Sequence, residues 1–352
     1  MINKRFEYNK KPLLKLNKLQ IEYKRKVEKK ILFKEYIFES NECIVCKKNN
    51  FELLSKKDRY GLYMSVVICR NCGLIQTNPH MNQKSYNEFY DKEYRGLYMG
   101  KTFANNDFFE RQVFHGNAIY DLIKKVVKKP FKNKFVVEIG TGSGGILQVF
   151  KNKKNKILGV DLGSKFINFG RNKGLNLKIG TINELKKIKE KPDLVIYSQV
   201  LEHILNPIEE LKELRKYLKP SSLVYIEVPG IKNLTESYNQ DFLKYLQNAH
   251  IYHFTLRTLN NVSKKAGFKL VYGNEGINSI WKVGDIENNF NNDYDNTIKF
   301  LKKLERLRKN PFNFLKIKSK IISFLVFFCK SVKILNLVRK LYHTYKYRKW
   351  KN

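Results

Sequence analysis

The hydrophobic positions between residues 134 and 270 alternate between short apolar runs and stretches with helical spacing. The apolar runs are rich in β-branched residues, as buried parallel strands are, and they cover 135–139, 156–160, 175–179, 192–198 and 223–229. Segments typical of helices lie between them, at 146–150, 165–173 and 208–218. This alternation predicts an α/β domain whose parallel sheet is covered by helices.

The first predicted strand leads directly into a glycine-rich turn at residues 140–145, with the sequence GTGSGG. Glycine suits such a corner because it tolerates positive φ and lets a ligand approach the backbone closely. The second strand ends at Asp161, roughly 20 residues after Gly140, where a carboxylate can accept hydrogen bonds from ribose hydroxyls. Strand, glycine turn, helix, strand and terminal acid together predict a site for a nucleotide-type cofactor.

The same glycines match the Gly-x-Gly-x-x-Gly pattern of dinucleotide-binding enzymes, so a nicotinamide cofactor is an alternative. Glu138 argues against it, because an acid two residues before Gly140 would face a pyrophosphate unfavourably but could help organise a site for a cationic ligand. No second nucleotide-binding half is obvious after 223–229. Ligands of open α/β sheets bind beyond the carboxyl ends of the strands, which predicts one binding rim at 140–145, 161, 182–183, 198–203 and 229–230.

Four groups of residues resemble the class I S-adenosylmethionine-dependent methyltransferases, over about residues 134–270. They are VVEIGTGSG at 136–144, GVD at 159–161, LEHI at 201–204 with Pro207, and LKP at 218–220. The resemblance implies a Rossmann-like methyltransferase sheet and S-adenosyl-L-methionine as the cofactor. It also implies a set of cofactor-binding residues: Glu138, Gly140, Thr141, Gly142, Asp161, Ile182, Asn183 and Ser198. Asp161 would bind the ribose, Ile182 and Asn183 would flank the adenine, and Ser198 would lie near the sulfonium.

Residues 41–80 contain two cysteine pairs, Cys43-x2-Cys46 and Cys69-x2-Cys72, with 22 residues between Cys46 and Cys69. Two such pairs can place four thiolates tetrahedrally around one Zn²⁺, and the apolar residues before the second pair predict hairpin strands. Disulfide bonds are the competing interpretation. The chain start does not resemble a secretory signal and no apolar run is long enough to span a bilayer. This favours the cytoplasm, where disulfides are rare, and hence a structural zinc ribbon.

Zinc-ribbon methyltransferases that act on nucleotide-linked sugars are similar to this chain in the order of ribbon, aromatic linker and catalytic domain. They also share the Glu-x-Pro sequence at 227–229. This resemblance implies a small-molecule or nucleotide-linked sugar acceptor. It places His250 at the last histidine of a Tyr-His-Glu-His segment, in which Gln247 and Ala249 replace the tyrosine and the glutamate. Because carbanion formation needs a base with a supporting acid, we expect O-methylation rather than C-methylation.

Three histidines, His203, His250 and His253, are the candidate catalytic bases. Methyl transfer from a sulfonium is an in-line displacement, so the protein positions the acceptor and removes a proton when the acceptor is a hydroxyl. Histidine titrates near the working pH and can take that proton. Structural roles are the alternatives: His203 could fix the loop after 192–198, and the neighbouring Phe254 suggests that His253 packs in the core.

The formal net charge is +37, from 69 Lys and Arg against 32 Asp and Glu. Such a charge suits nucleic acid or an anionic membrane surface, although a genome bias toward lysine and asparagine would also produce it. Residues 302–352 carry 16 basic residues and one acid, with apolar residues at helical spacing. This pattern predicts a basic amphipathic tail that contacts an anionic membrane, or packs on the enzyme or a partner.

The sequence thus predicts five segments: a basic N-terminal arm (1–40), a zinc ribbon (41–80), an aromatic helical linker (81–130), a methyltransferase domain (131–285) and a basic amphipathic helical tail (286–352). The expected function is S-adenosylmethionine-dependent methyl transfer to a sugar or glycan precursor. The expected location is the cytoplasm, at the membrane periphery if the tail binds lipid. The alternative is a zinc-ribbon nucleic-acid-binding protein or an RNA methyltransferase.

Overall fold

The N-terminal segment packs against later parts of the chain. The computed structural model describes residues 1–100 and 103–310. A 3-10 turn, Lys4–Phe6, buries its aromatic ring completely. The guanidinium of Arg5 lies 2.7 Å from a carboxylate oxygen of Asp241 and 2.6 Å from one of Glu305. Helix α1, Lys18–Leu32, follows.

The ribbon region contains five short strands. They are β1 (Phe38–Glu39), β2 (Phe51–Lys57), β3 (Tyr63–Cys69), β4 (Ile75–Thr77) and β5 (His80–Met81). Strands β2, β3 and β4 form an antiparallel sheet, and β1 pairs with β5. The hairpin expected before the second cysteine pair is therefore present, and β3 ends at its first cysteine.

Three helices lead from the ribbon to the main domain. They are α2 (Gln83–Phe89), α3 (Arg95–Met99) and α4 (Asn106–Val127), and a π-helical turn joins α2 to α3. In this region the rings of Tyr90 and Tyr94 stack with centroids 4.3 Å apart, and those of Tyr94 and Tyr98 at 5.4 Å. Tyr90, Tyr94 and Tyr98 thus pack in one stack, whereas Phe108, Phe109 and Tyr120 contact rings of the main domain.

The main domain alternates strands and helices from residue 135 onward. Its strands are β6 (Phe135–Ile139), β7 (Lys156–Asp161), β8 (Leu177–Ile179), β9 (Leu194–Ser198), β10 (Leu223–Glu227), β11 (Tyr252–His253), β12 (Phe268–Gly273) and β13 (Asn278–Val283). Its helices are α5 (Gly145–Asn152), α6 (Ser164–Arg171), α7 (Pro207–Lys216), α8 (Phe242–Tyr245), α9 (Leu256–Lys265) and α10 (Tyr294–Lys309). The predicted strand–helix alternation is confirmed.

Seven of these strands form one mixed sheet in the order β12-β13-β10-β9-β6-β7-β8. Strands β6 to β10 are parallel, and β13 is antiparallel to both of its neighbours. Alternate residues of β6 enter different cores: Val136 packs on the α4 and α5 side, and Val137 packs on the α7 and α9 side. The sheet is therefore buried on both faces, as its continuous apolar strands predicted.

Strand β11 leaves the main domain and completes the sheet of the ribbon. It pairs antiparallel with β4, with Tyr252 opposite Gln76 and His253 opposite Ile75. The resulting sheet has the order β11-β4-β3-β2. Ribbon and main domain are consequently joined by backbone hydrogen bonds, a connection that the sequence pattern did not predict.

The C-terminal part of the described chain ends with α10, which buries Leu301 and Leu304 against the N-terminal region. Most of the predicted basic tail lies beyond residue 310, outside the described residues, so membrane contact by the tail stays a prediction. Within residues 1–100 and 103–310, no helix is both long and apolar enough to cross a bilayer.

Candidate functional site

The glycine turn after β6 adopts the backbone that its composition predicted. Gly140, Gly142 and Gly144 all have positive φ, of 71°, 57° and 81°. A Cβ atom on Gly140 would also lie only 2.3 Å from Cγ2 of Val200. Both constraints require glycine at this position. The turn lies at the carboxyl edge of the sheet, with Gly140 half-buried and residues 141–145 buried.

Asp161, at the tip of β7, holds this corner in place. One of its oxygens accepts a hydrogen bond from the Gly142 amide at 2.9 Å, and the other accepts one from the Gly163 amide at 2.7 Å. The guanidinium of Arg95 lies 3.6 Å from the same carboxylate. The predicted ribose-binding acid is therefore preorganised beside the glycine turn.

Glu138 lies directly beneath the corner and is 1% exposed. It accepts a hydrogen bond from the Thr141 hydroxyl at 2.7 Å. Burial raises the pKa of Glu138 to about 8, despite this hydrogen bond. A nearby cation would favour the charged carboxylate. Two carboxylates around a positive-φ glycine corner thus fit a ligand with a cationic centre and a diol, such as S-adenosylmethionine.

Helix α4 contributes Gln112, a residue that sequence reasoning missed. Its side-chain oxygen accepts hydrogen bonds from the Ser143 hydroxyl at 2.6 Å and the Gly145 amide at 3.3 Å, and its amide nitrogen donates to the Thr141 carbonyl at 3.0 Å. Gln112 therefore stabilises the glycine turn through hydrogen bonds from helix α4. The polar pattern of the 81–130 segment gave no signal for this role.

One turn further along α4, His115 reaches the ends of two strands. Its Nε2 lies 2.6 Å from Oε2 of Glu227 at the end of β10, and the Ser198 hydroxyl at the end of β9 donates to the same oxygen at 2.9 Å. Burial alone would lower the pKa of His115, but the hydrogen bond and the charge of Glu227 outweigh it, so the pKa is raised. The His115 side chain keeps 38% of its surface exposed and can reach a ligand.

The predicted adenine-binding residues lie at the same edge of the sheet. Ile182 and Asn183 begin a 3-10 turn, Ile182–Lys187, after β8. Ile182 is buried, whereas Asn183 is exposed. The fold therefore brings the eight predicted cofactor residues to one edge, as expected for residues that follow parallel strands.

The three predicted bases lie together between the loop after β9 and strand β11, with His250 and His253 buried and His203 partly buried. The ring centroids of His203 and His250 are 4.8 Å apart, and those of His250 and His253 are 5.9 Å apart. Burial lowers the pKa of His203 to about 4 and that of His253 to about 3, so both rings are neutral near pH 7.

Glu202 lies beside two of these histidines, His203 and His250. It is 1% exposed, and burial raises its pKa to about 8. Neither of its carboxylate oxygens has a hydrogen-bond partner within the described ranges. This environment depends on packing between the ribbon and the main domain, which no local sequence pattern reveals.

The four ribbon cysteines converge as the zinc prediction requires. The sulfurs of Cys43 and Cys72 are 3.4 Å apart, as are those of Cys46 and Cys69, and all four lie within 4.8 Å of one another. These separations exceed a disulfide bond of roughly 2.05 Å and approach the spacing of thiolates around Zn²⁺, roughly 3.8 Å for Zn–S bonds of 2.3 Å. The cluster is compatible with structural zinc, which would tie the two cysteine turns together.

Comparison with known proteins agrees with this geometry. Residues 109–272 match the family model described as a methyltransferase domain, a region that includes α4. The tRNA U34 carboxymethyltransferase of Campylobacter hominis is 32% identical over 153 residues, which cover 40% of this chain and 53% of that protein. The chain thus spans about half the length of this curated relative.

Similar solved structures include two S-adenosylmethionine-dependent methyltransferases. The one from Archaeoglobus fulgidus is 24% identical, with a TM-score of 0.37, over 47% of this chain and 75% of that chain. The one from Clostridium acetobutylicum is 12% identical, with a TM-score of 0.38, over 56% of this chain and 99% of that chain. The family match, the seven-stranded mixed sheet and the glycine corner identify residues 109–272 as a class I S-adenosylmethionine-dependent methyltransferase domain.

Proposed function

We propose that the protein transfers a methyl group from S-adenosylmethionine to a hydroxyl of a sugar or another small glycan precursor. When bound, the cofactor supplies an electrophilic methyl group on a sulfonium. Glu138 and the 140–142 backbone would hold its methionine and ribose parts, Asp161 its ribose hydroxyls, and Ile182 with Asn183 its adenine. Ser198 would lie beside the reacting end.

The observation that carries this proposal is the contact between His115 and Glu227 at the carboxyl edge of the sheet. A hydroxyl acceptor needs a base within hydrogen-bonding reach, and His115 combines partial exposure with a carboxylate that stabilises its protonated form. This pair lies next to Ser198, the residue assigned to the sulfonium end. This arrangement favours an O-methyl product over a C-methyl product.

His203, His250 and His253 remain alternative bases. Their neutral rings could accept a proton, but an acceptor would have to enter the buried space between the ribbon and the main domain. His250 already contacts the Gln247 side chain, which stands where the resembling family has a tyrosine. We therefore rank His115 before them as the base.

The test uses the full-length protein and S-adenosylmethionine labelled in its methyl group. Calorimetric titration is expected to show binding of S-adenosylmethionine and none of NAD. Incubation with a panel of nucleotide-linked sugars is then expected to place the label on a sugar oxygen. Binding of NAD without S-adenosylmethionine would contradict the cofactor assignment, whereas cofactor binding with label on no sugar would contradict the acceptor class.

An RNA acceptor is the second candidate, on the strength of the +37 charge and the partial similarity to a protein named as a tRNA carboxymethyltransferase. Phosphate contacts by lysine and arginine make affinity for RNA fall steeply with salt. If the label from the same donor appears in total tRNA and RNA binding weakens strongly from 50 to about 200 mM salt, the RNA assignment replaces the sugar.

A further inference from the structure

Three polar side chains between β11 and the loop after β9 converge on a common point: Glu202 and His250 are buried, and His203 is partly buried. Oε1 of Glu202 lies 3.6 Å from Nε2 of His203 and 3.9 Å from Nε2 of His250. One potential ligand atom from each residue lies within 4.8 Å of the others. Both oxygens of Glu202 lack a hydrogen-bond partner in the described part of the chain.

The hydrogen bonds around His203 determine which of its nitrogens faces the carboxylate. Its Nδ1 lies 2.8 Å from the carbonyl oxygen of Ala249. A carbonyl oxygen only accepts hydrogen bonds, so Nδ1 carries the proton of the neutral ring. The Nε2 atom therefore presents a lone pair toward Glu202.

His250 is oriented in the same way from the ribbon side. Arg59 donates a hydrogen bond to the side-chain oxygen of Gln247 at 2.8 Å, which turns the Gln247 amide nitrogen toward Nε2 of His250. That nitrogen can only donate, so Nε2 of His250 is also an acceptor. The Gln247 amide occupies this lone pair. Gln247 must therefore move aside before Nε2 of His250 can bind another partner.

Three acceptor atoms therefore face one another, and the Gln247 amide serves His250 rather than Glu202. A buried carboxylate without hydrogen bonds is costly, and buried charges in proteins are usually paired or coordinate metal ions. A protonated Glu202 would not resolve the conflict as the side chains stand, because 3.6 and 3.9 Å are too long for hydrogen bonds. A cation between the three groups would satisfy all of them.

We propose that Glu202, His203 and His250 bind a divalent transition-metal ion such as Zn²⁺ or Fe²⁺. Two histidines and one carboxylate are an established ligand set for these ions. Ligands about 2.1 Å from a metal lie roughly 3.0–3.5 Å apart, so Glu202 needs to approach each histidine by only a few tenths of an ångström. The bond from His203 to the Ala249 carbonyl is the outer contact that typically orients a ligating histidine.

This metal site is separate from the four-cysteine cluster and does not depend on the identity of the methyl acceptor. Three protein ligands leave coordination positions open, unlike the four thiolates of the ribbon. The site therefore differs from the ribbon cluster both in donor atoms and in its capacity to take an additional ligand.

The test is a metal count on the full-length protein. After incubation with excess Zn²⁺ and gel filtration, the wild type is expected to retain about two ions per chain, one in each site. X-ray absorption should then show nitrogen and oxygen ligands in addition to sulfur. A wild type that retains about one ion, with sulfur ligands alone, would overturn the proposal.

Glu202→Gln and His250→Ala are each expected to retain about one ion, at the ribbon. His253→Gln is the matched control, because it changes a buried histidine beside the cluster that is not one of the three ligands, and it should still retain about two ions. Retention of the wild-type number by Glu202→Gln would also overturn the proposal. Each variant is also loaded with Co²⁺, and a misfolded variant is identified by loss of the thiolate charge-transfer absorption of the ribbon. If a variant is misfolded, the number of ions retained by the wild type tests the proposal.

Discussion

His115 on α4 and Glu227 at the end of β10 are 112 positions apart in the chain, yet their side chains lie 2.6 Å apart. The Ser198 hydroxyl bonds the same carboxylate oxygen. This contact connects the helix that covers the sheet to the edge where ligands of parallel sheets bind. It creates a partly exposed acid–base pair beside the predicted cofactor residues.

The pH dependence of methyl transfer should report this pair. Because Glu227 raises the pKa of His115 above its ordinary value of 6.5, the protonated ring stabilises the fold below pH 6.5, and that contribution is lost as the pH rises through the raised pKa. The methyl-transfer rate should change in the opposite direction. A general base must be unprotonated, so the rate should increase as the pH rises through the raised pKa of His115. Glu227→Gln should move the midpoint of kcat to lower pH, whereas Glu190→Gln, whose carboxylate pairs with Lys156 at the surface, should not. An unchanged midpoint in Glu227→Gln would contradict the assignment.

His115→Asn should reduce kcat by about 10²–10⁴-fold, the usual contribution of a general base. The dissociation constant of S-adenosylmethionine should change far less than kcat, because the polar partners of His115 are Glu227 and Ser198 rather than the glycine corner or Asp161. Asn117→Ala is the control on the same helix, since this amide bonds the helix's own Val113 carbonyl. Calorimetry and steady-state kinetics separate the two effects, and a full-rate His115→Asn enzyme would exclude this base.

Gly140→Ala should abolish binding of S-adenosylmethionine. Its Cβ atom would lie 2.3 Å from Val200, so the glycine turn or the loop after β9 must shift. Gly174→Ala is a matched control: its φ of 76° imposes a similar cost, but the nearest atom would be Lys151 Nζ at 3.6 Å. Both variants should lose roughly 1 kcal/mol of unfolding free energy from the positive φ. Equal cofactor affinity in the two variants would show that the corner does not bind it.

Asp161→Asn should weaken S-adenosylmethionine binding by about tenfold or more, because an amide cannot accept both backbone hydrogen bonds that now hold the corner. Asp193→Asn provides the comparison at the opposite edge of the sheet, where the carboxylate accepts from the Phe135 amide at 2.9 Å. That change should lower the melting temperature without altering cofactor affinity. Calorimetric titration and thermal unfolding of both variants check the prediction.

Cys69→Ser should lower the zinc content by about one ion per chain. It should also destabilise the main domain in addition to the ribbon. Strand β4 pairs with β11 of the main domain, so loss of the ribbon removes hydrogen bonds from the segment that carries His253. Cys329→Ser, outside the two cysteine pairs, should leave the zinc content unchanged. Metal analysis and melting temperature provide the readouts. A variant that keeps the zinc content and stability of the wild type would show that the cysteines hold no structural metal.

The strand–helix alternation, the glycine corner and the cysteine pairs were predictable because their signals are local. Each of these features depends on residues that are close in the chain: the φ values at Gly140 and Gly142, the Asp161 position at a strand end, and the two Cys-x2-Cys turns. His115 and Gln112 were not predictable, because an amphipathic helix pattern does not reveal which polar residue will face a neighbouring loop.

The sequence alone determined the class of the fold and the edge of the sheet at which a cofactor would bind, since both follow from periodicity and from glycine stereochemistry. The tertiary structure alone decided that β11 joins the ribbon, that His115 meets Glu227, and that Glu202 lies unpartnered between two histidines within the described residues. These relationships join distant segments. They depend on how the ribbon, α4 and the sheet pack together, and packing is a property of the whole chain rather than of any local pattern.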